Sequence, residues 1–72
     1  MRILEYGDRL IEIVISYPVG DDPVTLECTD LGSEMLFSIF REETGELVLR
    51  ASSDRIPLDL LPMVAKIAEQ DL

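Results

Sequence analysis

The sequence predicts an α+β fold: an antiparallel β-meander of four to five strands with one C-terminal α-helix packed on one face. Three observations predict it. Apolar residues recur at every second position in several segments before residue 52. Turn-forming Gly, Pro and Asp separate those segments at short intervals. Near residue 59 the apolar spacing changes from two to three and four, the signature of a helix with one buried stripe.

Taken in order, residues 2–6 form a short edge strand. Gly7 and Asp8 then make a two-residue hairpin loop of type II′, in which the first central residue needs positive φ. The second strand runs over about 9–17, with Ile11, Ile13, Ile15 and Tyr17 on one face and Leu10, Glu12, Val14 and Ser16 on the other; its β-branched content favours a pleated sheet. Pro18 to Pro23 is a loop, because each Pro removes a ladder donor and Gly20-Asp21 favours a turn. The third strand spans about 24–29, with Val24, Leu26 and Cys28 inward. After the turn at Asp30-Leu31-Gly32-Ser33 comes a strand over about 35–42. Strict alternation there puts Met35, Phe37 and Ile39 inward and Leu36, Ser38 and Phe40 outward. Glu43-Thr44-Gly45-Glu46 is a tight hairpin with Gly45 left-handed, leading to a last strand over about 46–51. Leu60, Leu61, Val64, Ile67 and Ala68 form the helical stripe over about 59–71. Asp59 is its expected N-cap, with a start at Pro57 as the alternative, and Pro62 sits in the first turn, where a missing N–H is tolerated.

The 72 residues are expected to form a single domain. Such a chain is short for a self-sufficient core: below roughly 70–80 residues one core supplies about 3–5 kcal/mol, and small folds usually add a staple. One Cys cannot form an internal disulfide, and one Cys without His cannot make a structural zinc site. Well-idealised packing or a second chain covering apolar surface remain as routes to stability. Leu10, Val14, Leu36, Phe40 and Val48 form an apolar set on the outer sheet face, a candidate dimer or docking interface.

The formal charge of −9 argues against nucleic acid and against anionic membrane surfaces, since both require clustered Lys and Arg, and the six bases here are scattered singly. A basic protein partner would be attracted. The acidity has a definite place. Residues 21–46 carry Asp21, Asp22, Glu27, Asp30, Glu34, Glu42, Glu43 and Glu46 against Arg41 alone. Asp21, Asp22, Asp30, Glu34, Glu42, Glu43 and Glu46 are therefore the candidate electrostatic binding residues.

Chemistry is sparsely represented. There is no His, Lys66 is the only Lys, and the Ser residues have no partner base or nucleophile elbow, so no catalytic residue is assigned and an enzyme is the least expected class. Cys28 sits at an inward strand position, as expected of an inert apolar filler. The four Gly residues are isolated turn residues, not a phosphate cradle, and the acids lack the spacing of a calcium loop, so no cofactor or metal is expected. The start of the chain shows no leader and no apolar run long enough to span a bilayer; with the single thiol, this points to a cytoplasmic protein. The excess of Arg over Lys points to a bacterial source.

The leading expectation is a small acidic, non-catalytic protein-binding module of the inhibitor, immunity-protein or antitoxin kind, neutralising a basic partner through residues 21–46. The alternative is a homodimeric structural, assembly or chaperone subunit acting through the outer apolar face. A weaker alternative is a DNA mimic, which would need its acids spaced like phosphates along one continuous face.

Overall fold

The computed structural model describes residues 1–72. It contains β1 (Arg2–Tyr6), β2 (Arg9–Ser16), β3 (Thr25–Asp30), β4 (Met35–Arg41), β5 (Leu47–Ala51) and α1 (Leu60–Asp71). The strands form one antiparallel sheet in the order β1-β2-β3-β4-β5, a meander with a single helix across one face. Every strand and the helix lie within one residue of the limits expected from the sequence.

The turns follow from local chemistry. Gly7 has φ of 62° while no non-Gly residue has positive φ, so only the first central position of the β1–β2 turn is left-handed, as a type II′ turn requires. Gly45 has φ of 92°; its N–H donates to Glu42 O at 2.8 Å, and Glu42 N–H donates to Glu46 O at 2.8 Å, which closes the β4–β5 hairpin.

The helix begins less abruptly than a capped start. Asp59 occupies the cap position in a helical conformation (φ −70°, ψ −18°), and its side chain makes no capping bond. Leu60 N–H instead donates to Pro57 O at 3.1 Å and Leu61 N–H to Leu58 O at 3.3 Å. A tight turn starting at Pro57 thus feeds the helix and satisfies its first donors. Pro62 falls in the first turn.

The core lies between the helix and the middle strands. Ile11, Ile13, Leu26, Cys28, Phe37 and Ile39 from the sheet pack on Leu60, Val64, Ile67 and Ala68 from the helix. Three expectations for the inner face fail. Tyr17 lies outside β2 and is exposed. Val24 lies outside β3 and is exposed, and Met35 and Leu36 exchange faces. Cys28 pairs with Phe37, but Thr29 pairs with Met35, so β4 carries one extra residue there. That bulge turns Leu36 inward to 3% exposure beside Phe37 and moves Met35 to the outer side at 37%. The bulged backbone is satisfied from outside the ladder: Leu36 O accepts the N–H groups of Ser52 at 2.9 Å and Ser53 at 3.0 Å. Leu36 is therefore a core residue and cannot belong to an outer interface.

Candidate electrostatic interface

Antiparallel pairing decides where the acids go. Ser16, Thr25, Phe40 and Val48 form one row across the sheet. The β2–β3 loop (residues 17–24) and the β4–β5 hairpin (residues 42–46) leave the sheet beyond that row, at the same end. The β3–β4 turn (residues 31–34) lies at the opposite end. The seven candidate acids consequently split. Asp21, Asp22, Glu42, Glu43 and Glu46 gather at the first end; Asp30 and Glu34 lie at the second.

All five residues of the first group are exposed, and none of their carboxylates takes part in an ion pair or a hydrogen bond within the chain. Asp21, Glu42 and Glu43 rim a shallow depression of about 400 Å³ between the two loops, together with Pro23, Phe40, Arg41 and Thr44. The one base in this stretch does not neutralise them by contact. Arg41 donates from Nη1 to Gly45 O at 2.6 Å and from Nε to Leu72 O at 3.2 Å, holding the hairpin to the end of α1. The C-terminal end of α1 therefore sits at the acidic end, with Glu69 and Asp71 near it and no basic residue in its last turn. The partial negative charge of the last helical carbonyls adds to that of the loops. Arg2 approaches Asp71 at 4.0 Å, but both side chains are largely solvated and the pair contributes little.

At the opposite end both candidate acids have partners within the chain. Asp30 is only 7% exposed. Its Oδ1 accepts Gly32 N–H at 3.1 Å and its Oδ2 pairs with Arg9 Nη1 at 3.5 Å, while Arg9 lies 6.0 Å from the centre of the Tyr6 ring. Ser53 Oγ donates to Glu34 Oε1 at 2.9 Å and accepts Arg55 N–H at 3.1 Å. Two acids and two bases, Asp30, Glu34, Arg9 and Arg55, thus line a hollow of about 450 Å³. Asp30 is a structural residue of the turn, set apart from the exposed acidic group.

The outer sheet face is less continuous than its composition suggests. Leu10, Val14, Phe40 and Val48 lie there as expected, joined by Ile3 and by Met35, which only the bulge brings to this side. The register, however, sets Leu10 opposite Glu5, Ile3 opposite Glu12, and Val14 opposite Glu27, which in turn faces Ser38. The Arg50 guanidinium lies 5.2 Å from the centre of the Phe40 ring and covers part of it. The apolar residues form islands between charged ones, not one patch.

Cys28 is fully buried, and burial, with a smaller contribution from the Asp30 carboxylate, pushes its thiol up from 9.0 to about 11. It is protonated at neutral pH and inaccessible, the opposite of an activated nucleophile. No three Cys, Asp or Glu side chains come together so as to hold a metal ion, and no helix is long and apolar enough to cross a membrane.

Comparison of the chain with protein-family models, with curated proteins and with solved structures finds no match.

Of the residues at the acidic end, Phe40 and Arg41 have roles that the sequence pattern alone does not supply. A lone base inside a run of acids is the signal for Arg41. Phe40 has none, because its place in the lining of the depression depends on the two loops that flank it.

Proposed function

We propose that the protein is a non-catalytic binding module that engages a basic protein partner through its acidic end, as small inhibitors, immunity proteins and antitoxins do. The observation that carries this reading is the convergence of Asp21, Asp22, Glu42, Glu43 and Glu46, exposed and unpaired, on the end of the sheet where α1 also terminates. Uncompensated charge gathered at one end steers an oppositely charged partner and orients it during encounter. The depression between the loops suits a Lys or Arg side chain: Asp21, Glu42 and Glu43 supply charge-assisted acceptors, and Phe40 offers an apolar surface for the aliphatic stem. The grouping of Asp21, Glu42 and Glu43 around one depression supports a protein side chain as ligand over mimicry of a phosphate backbone, which calls for charge along a continuous track. The islands on the outer face give the homodimeric alternative no comparable support.

The test uses an Arg-rich peptide as probe and measures its association rate over a range of ionic strengths. Binding to the wild type should weaken steeply as salt rises. The triple variant D21N/E42Q/E43Q should lose most of the association, whereas E5Q/E12Q/D54N, with the same change in net charge elsewhere, should retain it. Equal losses in the two triple variants, or a rate indifferent to salt, would reject the reading.

A further inference from the structure

The free edge of β5 is a second surface, which shares only Glu46 with the acidic end. β5 borders the sheet and pairs only with β4. The ladder is bracketed by Glu42 N–H donating to Glu46 O and by Ser52 N–H donating to Leu36 O. Alternation between these points turns the backbone groups of Val48 and Arg50 toward β4 and those of Leu47, Leu49 and Ala51 outward. Natural edges are usually guarded by inward charges, Pro or bulges. The other edge, β1, has such a guard, because Arg2 pairs with Ile13 and so lies on the core side. β5 has none: its core-side residues are Leu47, Leu49 and Ala51. Beside it an apolar hollow of about 180 Å³ opens between Leu47, Leu49, Leu61 and Ala65, and Leu49 stays 41% exposed at its border.

We infer that β5 pairs with β5 of a second copy of this chain, antiparallel about a two-fold axis at Val48, joining the two sheets into one. The side chains single out this register. Leu47 stands opposite the partner's Leu49, both with outward backbone groups able to exchange hydrogen bonds, and both on the side of the apolar hollow. On the outer side Val48 meets the partner's Val48, and Glu46 meets the partner's Arg50, twice by symmetry. Moving the axis to Leu49 would set Arg50 against the partner's Val48 and Glu46 against the partner's Ser52, losing both ion pairs. Antiparallel pairing also points the two acidic ends in opposite directions, which keeps the repulsion between two chains of charge −9 low.

Sedimentation equilibrium tests this. The wild type should pass from the 8.1 kDa monomer to twice that mass as concentration rises into the high micromolar range. Glu46→Arg and Arg50→Glu, each an exposed substitution whose folding is checked by far-UV circular dichroism, should weaken the dimer by roughly ten-fold. The double variant E46R/R50E should restore it. A wild type that stays at 8.1 kDa throughout overturns the inference. So do single reversals without effect, a double variant that fails to recover, or a dimer that dissociates on Leu10→Asp, a change on the outer face away from β5.

Discussion

Replacing Asp30 by Ala should cost about 2 kcal/mol of folding stability, and the figure can be built from its contacts. The carboxylate is 7% exposed and accepts Gly32 N–H at 3.1 Å. A hydrogen bond to a charged group is worth about 1.5–3 kcal/mol, with partial solvation placing this one toward the lower value. The ion pair adds less: Arg9 Nη1 lies 3.5 Å away on a side chain that is 47% exposed, and such pairs contribute about 0–1 kcal/mol. Asp30→Asn retains an acceptor for Gly32 and gives up only the charge, so it should cost about 1 kcal/mol or less, as should Arg9→Ala. Urea unfolding at neutral pH measures all three. With a slope near 1 kcal/mol/M for so small a chain, Asp30→Ala should move the midpoint by about 2 M and the other two by roughly half that or less. A neutral Asp30→Ala, or an Arg9→Ala as damaging as Asp30→Ala, would refute the assignment of this carboxylate to the turn.

The bulge in β4 makes a paired prediction: Leu36→Ala should cost about 2–5 kcal/mol, most of the stability of a small core, while Met35→Ala on the outer side should cost under about 1 kcal/mol, both by calorimetry. Cys28 sets an alkaline limit. Its folded pKa of about 11 exceeds the ordinary 9.0, so its contribution is complete below pH 9 and is lost as pH rises toward 11. That loss amounts to about 2–3 kcal/mol. Cys28→Ala should flatten this part of the stability curve, and equal alkaline losses in wild type and variant would show that the thiol is not responsible. At the acidic end, D21N/E42Q/E43Q should raise the unfolding free energy measured in urea by a few tenths of a kcal/mol at low salt, by relieving like-charge repulsion, and the gain should disappear near 1 M salt.

Much of the fold was legible because its determinants are local. The alternation of Ile11, Ile13 and Ile15 against Glu12 and Val14 can bury one face only as a strand. Gly7 and Gly45 stand where the backbone must turn left-handed, and the stripe from Leu60 to Ala68 matches only a helical period. These features made the meander and its helix readable to within a residue. The candidate site was half legible: its charge was visible as a run of acids, but a run in sequence is not a surface.

What tertiary structure decided lies in two places. Pairing across β3 and β4 inserted one residue and exchanged Met35 with Leu36 between water and core, which neither strand's own alternation records, because a bulge belongs to the pair of strands. The antiparallel reversal of successive strands sent neighbouring turns to opposite ends of the sheet. Asp30 was thereby separated from Asp22, buried and matched with Arg9, while Glu42, twelve residues further along, was brought to the end that holds Asp21. The sequence by itself determined which segments are strands and helix and how much charge they carry, since those follow from each residue's nearest neighbours along the chain. Which carboxylates remain exposed and unpaired depended on contacts between residues far apart in sequence, and only the folded sheet makes those.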